Sequence, residues 1–469
     1  MKLLVKGGRV VNASADGPAD VLCVDGKITQ IAARIDAGAA AGAEVIDATG
    51  KLVFPGFIDP HVHIHLPFMG THAKDDWESA SRAALVGGTT TLIEMVCPSR
   101  ADEPWAAYEL WKSKAAGKAS CDYAFHMGVT RWDEATEGVL RRVVDDGTTS
   151  FKVFLAYRGA FGVNDQELYR TLSLAKELGV VVTAHCENET LVAERQAELV
   201  AAGKVGPEWH EVSRPVAVET EGVHHLMTFA RLTGAAVYVV HTSCRPAVEI
   251  ARAAADSGVD VKVETVLPYL VLDSSAAERP DFEGAKFVMS PPIRSREHQD
   301  YLWGALRSRQ VATVGTDHAP FDFGAQKELG KPPASNFTKI PNGIPSVEHR
   351  VQLLYTHGVA AGRMNLPTFV DCASTQAARI FGLNGKGVIE PGADADLVVW
   401  DPEWRGRISA ATHHMRADYS AFEGWEIKGR AAVVTVRGSI MVRDGQFNGE
   451  RGHGRFVPRT RHGAATSAR

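Results

Sequence analysis

Apolar runs of strand length alternate with stretches of helical period along most of this chain. The stretch 76–85 ends at Gly87 and Gly88, and the one that begins at Asn164 has a capping residue, an acidic first turn and a stop at Gly179. The runs that we interpret as strands are 53–58, 89–96, 122–129, 149–155, 180–184, 236–240, 261–266 and 311–316. Alternating strands and helices indicate a parallel sheet, and eight units predict closure into a (β/α)8 barrel.

The two ends of the chain have a different pattern, with short β units and turns instead of helices. Residues 3–11 and 20–28 are strand-like, with a hairpin signal at Asp25-Gly26, and residues 394–400 and 432–440 have the same character. We therefore predict one small β-sandwich built from both termini, with the barrel inserted between its halves. The predicted divisions are 1–54 and 386–446 for the β-sandwich, 55–385 for the barrel, and 447–469 for a tail that is either disordered or laid on a neighbouring subunit.

Composition agrees with a large globular enzyme. The chain has 469 residues, 45% hydrophobic and 23% charged, which suits a barrel of about 250 residues or more with an appended domain. A net charge of -5 gives no argument for a nucleic acid or an acidic membrane as partner. No signal segment and no apolar run near 18 residues is present, and the six cysteines lack CxxC spacing. We expect a cytoplasmic protein with reduced thiols.

Potential metal ligands stand at the ends of five of the strand-like runs. They are His61 and His63 after the first run, Lys152 in the fourth, His185 after the fifth, His241 after the sixth and Asp317 after the eighth. On an extended strand the i, i+2 spacing puts both imidazoles of the first pair on one face. A barrel gathers the carboxyl ends of its strands around one site. The ordered set therefore predicts a metal centre, although a lone histidine after a strand is more often an ordinary polar residue.

Lys152 is unusual because its neighbours Phe151, Val153 and Phe154 are apolar. Burying an ammonium there is costly, and burial favours the neutral amine. A neutral amine can add carbon dioxide and become a carbamate, an anion with two oxygens that can bridge two cations. We therefore expect Lys152 to be N6-carboxylysine.

His65 offers an alternative to the first pair, since it would share the face of His61 and His63 on a continuing strand. Pro67 cannot continue a central strand and Gly70 interrupts the run, so we interpret 66–70 as a loop. On that interpretation His65 has already left the strand. We favour His61 and His63 over His63 and His65.

The motifs of the chain resemble the amidohydrolase superfamily, and within it the dihydropyrimidinase and hydantoinase group. The phrases that carry the resemblance are PGFIDPHVHIHLPFMG, GGTTTLIEM, TSFKVFLAY, AHCEN, VVHTS, MSPPIR, GTDHAPF, FTKIPNGIPSVEHR, GADADLVVWDP and GRFVPR. They cover nearly the whole chain. One departure is ETVLPY at 264–269, where the group commonly has ETCPQY. Because the seventh strand carries no ligand, we expect that change to alter loop packing more than chemistry.

The resemblance implies a role for each matching residue. His61 and His63 would bind the more buried of two divalent ions, His185 and His241 the second, and carboxylated Lys152 would bridge them. Asp317 would bind metal and move the proton, Tyr157 would hydrogen bond the attacked carbonyl, and Ser290 and Asn342 would hold the cyclic amide through main-chain groups. The family usually assembles as tetramers, so a homotetramer is implied.

The expected reaction is the hydrolysis of a ring amide to an N-carbamoyl amino acid. Two divalent ions about 3.5–4 Å apart acidify a bridging water and polarise a carbonyl. Histidine-rich ligation suits zinc, with manganese and cobalt as alternatives. The residues leave open whether the substrate is a dihydropyrimidine or a 5-substituted hydantoin, and which enantiomer is taken.

Three other functions remain as alternatives. A dihydroorotase commonly has an arginine two positions after the paired histidines, where this chain has His65. An allantoinase must hold a polar ureido group, whereas an apolar mouth is predicted here from Leu66, Phe68, Met69, Phe154 and Phe161. Non-catalytic scaffold relatives lose metal ligands, and every one is present in this chain.

Overall fold

Eight parallel strands form a barrel, as predicted. The computed structural model describes residues 1–463, and the last six residues of the predicted tail lie outside the described part. The strands, in chain order and in their order around the barrel, are Phe57–Val62, Thr89–Val96, Asp122–Gly128, Ser150–Phe154, Val181–His185, Val237–Val239, Val261–Val266 and Thr313–Gly315. Nearly every position in them is buried, because helices cover the outside and side chains fill the inside.

Main-chain hydrogen bonds join the last barrel strand to the first at the carboxyl end. The Asp317 amide donates to the carbonyl of His61 at 3.0 Å, and the His63 amide donates to the carbonyl of His318 at 2.8 Å. The segment with His61 and His63 and the segment with Asp317 are therefore held side by side, although they come from opposite ends of the barrel sequence.

The helices follow the sequence signals at their ends. Asn164 caps its helix in a capping box with Glu167, and Gly179 ends that helix with a left-handed φ of 64°. The α-helices in the described part are Trp77–Val86, Pro104–Ala115, Glu134–Asp145, Asp165–Leu178, Glu189–Ala201, Trp209–Ser213, Val216–Thr233, Arg245–Asp256, Leu267–Val271, Arg296–Arg307, Arg350–Leu354, Leu366–Val370 and Gln376–Phe381. Of these, none is long and apolar enough to cross a membrane.

The two ends of the chain together build a β unit separate from the barrel, as predicted, and in the described part its strands are joined in one hydrogen-bonded sheet. Its strands are Lys2–Val11, Asp16–Val24, Lys27–Ala32, Glu44–Asp47, Leu52–Pro55, Leu397–Arg407, Glu426–Val436, Ser439–Arg443 and Gln446–Phe447. The halves meet where Val53 pairs with Val10 on one side and with Val399 on the other. The limits that we gave for the two domains stay a prediction.

The predicted first barrel strand, 53–58, is wrong as one element. The chain forms Leu52–Pro55 in the terminal sheet and Phe57–Val62 in the barrel, with Gly56 between them. A Cβ atom at Gly56 would collide with the side chain of Thr90. Glycine thus allows the chain to pass from one sheet to the other against the second barrel strand.

Residues 447–463 of the predicted tail have defined contacts, so of our two alternatives a disordered tail does not apply to them, and contact with a neighbouring subunit stays a prediction. The tail lies along the base of the barrel of its own chain, where the Tyr123 amide donates to Arg455 and the Val457 amide donates to Tyr123. Arg459 is buried, and its guanidinium donates to Ser150 Oγ at 2.8 Å and to the carbonyl of Phe125. The tail has no periodic pattern in its sequence. Its order comes from main-chain hydrogen bonds to Tyr123 in the third barrel strand, a partner that the sequence does not reveal.

Candidate active site

The carboxyl end of the barrel brings together all six side chains that the sequence proposes as metal ligands. They are His61, His63, Lys152, His185, His241 and Asp317, and all six are buried. The ring centroid of His61 lies 5.3 Å from the centroids of His63 and of His241. The ring centroids of His185 and His241 lie 4.6 Å apart. Residues from five strands thus form one cluster, although 256 positions separate its first and last members in sequence (317 − 61).

His61, His63 and Asp317 form the first half of this cluster. Oδ1 of Asp317 lies 3.2 Å from Nε2 of each histidine. Among residues 1–463, these three make the one group of histidine, cysteine or carboxylate side chains whose ligand atoms all lie within 4.8 Å of one another. Two imidazoles and a carboxylate are ligands that suit zinc and related divalent ions. The group fits a divalent metal site.

The opposite side of the His61 ring is held by Glu264. Oε1 of Glu264 lies 2.7 Å from Nδ1, so Nδ1 donates and Nε2 keeps its lone pair. Nε2 is buried without a hydrogen-bond partner and faces a carboxylate oxygen of Asp317. Burial lowers the pKa of His61 well below its usual range, which disfavours a proton between the two acceptors. A cation is the group that satisfies both the His61 nitrogen and the Asp317 oxygen.

His185 and His241 form the second half. Nε2 of His185 donates to Oε2 of Glu187 at 2.8 Å, which leaves Nδ1 with its lone pair, 2.9 Å from Nε2 of His241. Arg214 donates to the same oxygen of Glu187 at 2.5 Å. Burial raises the pKa of Glu187, but the charge of Arg214 and the bond from His185 outweigh it and lower the pKa to about 2. His185 is therefore held by a rigid, charged support, and Nδ1 of His241 is buried without a hydrogen-bond partner.

Lys152 lies between the two halves, inside the barrel. Its side chain has no exposure, and Nζ has no hydrogen-bond partner. Burial is the largest influence and lowers the pKa of Lys152 to about 8. Near neutral pH, a fraction of this amine is therefore neutral and nucleophilic.

Tyr157, Ser290 and Asn342 lie together at the rim of the same cavity. Nδ2 of Asn342 donates to Ser290 Oγ at 2.9 Å, and both side chains favour a lower pKa of Tyr157. Burial nevertheless raises the pKa of Tyr157, so its hydroxyl keeps its proton at neutral pH and can donate it in a hydrogen bond. The Tyr157 ring lies 5.2 Å from the His185 ring. A polar edge thus stands directly above the ligand cluster.

Three of these residues have left-handed backbone conformations. Tyr157, His241 and Asp317 have φ values of 63°, 37° and 52°. Such values cost free energy in residues other than glycine and concentrate at functional sites. Each one lies two or three residues after the end of a barrel strand, where the chain turns beside the cluster. His65, with a φ of 62°, has left the first strand and does not line the cavity.

Apolar side chains form the mouth of the cavity. Leu66, Phe68, Phe154 and Phe161 line it, and the rings of Phe68 and Phe161 stack at 6.2 Å. Phe68 also meets Tyr157 edge to face at 5.4 Å. A ligand would therefore place its polar side on the rim and any apolar substituent against these rings.

Glu264 and Glu187 are two residues of the site that the sequence pattern did not predict. Glu264 is the first residue of ETVLPY, which it shares with the motif common in the group, and it is fully buried beside His61. A carboxylate that follows Val263 in a strand of a closed barrel is costly to bury unless it is hydrogen bonded, and that was the signal available. Glu187 follows His185 by two residues, which puts both side chains on one face of an extended segment.

Comparison with known proteins finds related sequences along nearly the full length of this chain. The model of the Amidohydrolase family matches residues 52–441. A D-hydantoinase from Geobacillus stearothermophilus is 46% identical over 466 residues, which are 99% of this chain and 98% of that protein. A dihydropyrimidinase from Rattus norvegicus is 38% identical, covering 98% of this chain and 89% of that one.

Solved structures agree with the sequences. A D-hydantoinase (dihydropyrimidinase) from Thermus sp. superposes with a TM-score of 0.95 at 56% identity, over 98% of this chain and 99% of the other. An L-hydantoinase (dihydropyrimidinase) from Arthrobacter aurescens has a TM-score of 0.88 at 30% identity, over 97% and 99%. This chain belongs to the amidohydrolase family.

Proposed function

We propose that this chain is a cyclic amidohydrolase of the dihydropyrimidinase and hydantoinase type. It hydrolyses the ring amide of a 5,6-dihydropyrimidine or a 5-substituted hydantoin to an N-carbamoyl amino acid. The observation that carries the proposal is the cluster of acceptor atoms from His61, His63, His185, His241 and Asp317 beneath a polar rim. Full-length relatives named for both activities support the same reaction class.

The buried histidine nitrogens and the Asp317 carboxylate would fit two divalent ions. His61, His63 and Asp317 would hold one, and His185 and His241 would hold the other. The neutral Nζ of Lys152 would form a bond to the carbon of carbon dioxide and lose a proton, and the resulting carbamate would bridge the two. When bound, such ions supply Lewis acidity, which activates a water and polarises a carbonyl. Zinc is the ion that we propose for this ligand set.

The residues of the chain then perform the proton transfers. Asp317 accepts a proton from the attacking water on its carboxylate. It returns that proton to the ring nitrogen as the carbon–nitrogen bond breaks, which makes it base and acid in turn. This assignment fits its position at the centre of the cluster, within 3.2 Å of two histidines.

Tyr157 stabilises the charge that develops on the carbonyl oxygen. Its hydroxyl donates to that oxygen in the transition state, where one such donor is typically worth about 10²–10³ in rate. The main-chain groups of Ser290 and Asn342 bind the remaining amide edge of the ring and hold it in the plane that Tyr157 requires. We also propose a homotetramer in the cytoplasm.

Turnover of a small substrate panel tests the proposal. Metal-replete protein is given dihydrouracil and both enantiomers of several 5-monosubstituted hydantoins, and the N-carbamoyl product is measured by chromatography. We expect ring opening of at least one of these classes. Allantoin and dihydroorotate are the comparison substrates, and turnover of either one with none of the panel would assign the chain to a sister activity.

A further inference from the structure

Lys327 is a buried lysine that the reaction described above does not use. Its side chain has no exposure, and it lies in the short helical segment Lys327–Gly330, outside the barrel strands. Nζ donates to three carbonyl oxygens, those of Val288 at 3.0 Å, Pro341 at 2.7 Å and Gly343 at 2.8 Å. An ammonium has three N–H groups, so these acceptors use its full donor capacity.

The three carbonyls belong to the two segments that carry Ser290 and Asn342. Val288 precedes Ser290 by two residues, while Pro341 and Gly343 are the direct neighbours of Asn342. The segments also bond to each other, because the Gly343 amide donates to the carbonyl of Val288 at 2.9 Å. Lys327 is therefore a shared anchor behind the polar rim of the cavity.

The anchor fixes the direction of a main-chain donor. The carbonyl of Pro341 and the N–H of Asn342 belong to one planar peptide unit, and in a trans unit they point in opposite directions. By holding that carbonyl, Lys327 sets the direction of the Asn342 N–H on the other side of the plane. The bond to the Gly343 carbonyl fixes the peptide unit between Gly343 and Ile344 in the same way. The unit between Asn342 and Gly343 is held by the bond from the Gly343 amide to Val288.

A close approach on the far side leaves these peptide units little freedom. Gly343 has a φ of 151°, and a Cβ atom there would collide with the carbonyl oxygen of Ala319. Ala319 follows Asp317 by two residues, so the Asn342 segment lies between the Lys327 anchor and the chain that carries the proposed proton shuttle.

We propose that Lys327 is a positioning residue for substrate binding. It holds the main chain around Ser290 and Asn342 in the shape that receives the cyclic amide before the substrate arrives. The inference rests on the proposed function, because it takes these main-chain groups as the binding edge for the ring. Groups that bind substrate and transition state alike affect KM more than kcat.

The test is Lys327→Met, which keeps the length of the side chain and removes all three donors. We expect KM for the best substrate of the panel to rise about 10-fold or more, with kcat within about 3-fold of wild type, because uniform binding is lost. Metal content should not change. A folded variant with wild-type KM would overturn the role of Lys327. Turnover by the wild-type enzyme tests the proposed function separately, so the two failures are distinguishable.

Lys386→Met is the matched control. Lys386 is equally buried, but it pairs with Asp122, Asp394 and Asp396 at the amino end of the third barrel strand, away from the site. This variant should lose stability while KM stays unchanged. An equal rise in KM in both variants would show that the effect is general loosening of the fold, and would overturn the inference.

Hydrogen exchange of the wild-type protein tests the inference even if Lys327→Met does not fold. In substrate-free protein, the amide of Gly343 should exchange slowly, because its acceptor segment is already held by Lys327. Exchange as fast as in an exposed loop, slowed only when substrate is added, would show that the substrate itself orders the segment and would contradict a preformed binding edge.

Discussion

Oε1 of Glu264 lies 2.7 Å from Nδ1 of His61, and the same oxygen accepts the main-chain N–H of His241 at 2.9 Å. Its other oxygen accepts the hydroxyl of Tyr238 at 2.8 Å. One buried carboxylate on the seventh strand thus orients a histidine from each half of the proposed metal centre. Glu264 itself is not placed to bind metal, since both oxygens are already occupied.

Glu264→Gln should therefore weaken metal binding without unfolding the protein. The amide cannot stabilise the donated proton of His61 as a carboxylate does, and loss of such a partner typically costs about 10- to 100-fold in metal affinity. Metal content after dialysis against graded chelator measures the effect. Glu167→Gln, at a buried carboxylate bonded to Arg100 and Asn164, is the control and should bind metal like wild type. Equal affinity in both variants would contradict the role of Glu264.

Lys152→Ala should lose both metal and activity. Without the amine no carbamate forms, and the two halves of the cluster lose their proposed bridge. Acetate or propionate at millimolar concentration should restore part of the activity to the variant and none to wild type, since a free carboxylate can occupy the space of the side chain. Metal analysis and turnover check this. A variant that holds two metals at full activity would show that Lys152 is only packing.

Asp317→Asn should fold normally and lose most of its turnover. The amide has the size of the carboxylate but cannot accept a proton, and general acid–base catalysis contributes about 10²–10⁴ in rate. Circular dichroism and kcat are the measurements. Asp322→Asn serves for comparison, because Asp322 is buried nearby and pairs with Lys74. Near wild-type kcat in the Asp317 variant would move the proton transfer to another group.

Tyr157→Phe should lower kcat by about two orders of magnitude with KM less affected, because only the donor to the developing oxyanion is removed. The ring contacts with Phe68 and His185 remain. Tyr108→Phe removes another buried hydroxyl, one that bonds to Asp146 and Thr148, and should leave kcat unchanged. An unchanged kcat at position 157 would mean that Tyr157 only packs the mouth.

The barrel could be predicted because its strands are rich in apolar residues and are separated by capped helices. The sequence bounds of the second and seventh strands, 89–96 and 261–266, coincide with Thr89–Val96 and Val261–Val266. The ligand cluster followed from the same pattern, because barrel closure brings strand ends together whatever their spacing in sequence.

The contacts behind the ligands could not be predicted in this way. Glu264 contacts His61, which is 203 residues away in sequence, and Lys327 contacts Val288, which is 39 residues away. No local sequence pattern indicates which imidazole or carbonyl such a side chain contacts. The change of sheet at Gly56 depends on the position of Thr90 in the finished barrel. The order of the tail could not be predicted either. It comes from hydrogen bonds to residues far away in sequence, which leave no periodic pattern in the tail itself.

The sheet shared by both ends of the chain also sets an order of events during synthesis. Val53 is made early, but its partner Val399 follows 346 residues later (399 − 53). The first strands must therefore wait beside a growing barrel with an unpaired edge, which is an aggregation hazard. Arg459, which covers the base of the barrel, emerges from the ribosome later still. A nascent chain stalled before residue 397 would present both unfinished surfaces to chaperones, and release of the last 70 or so residues would remove them together.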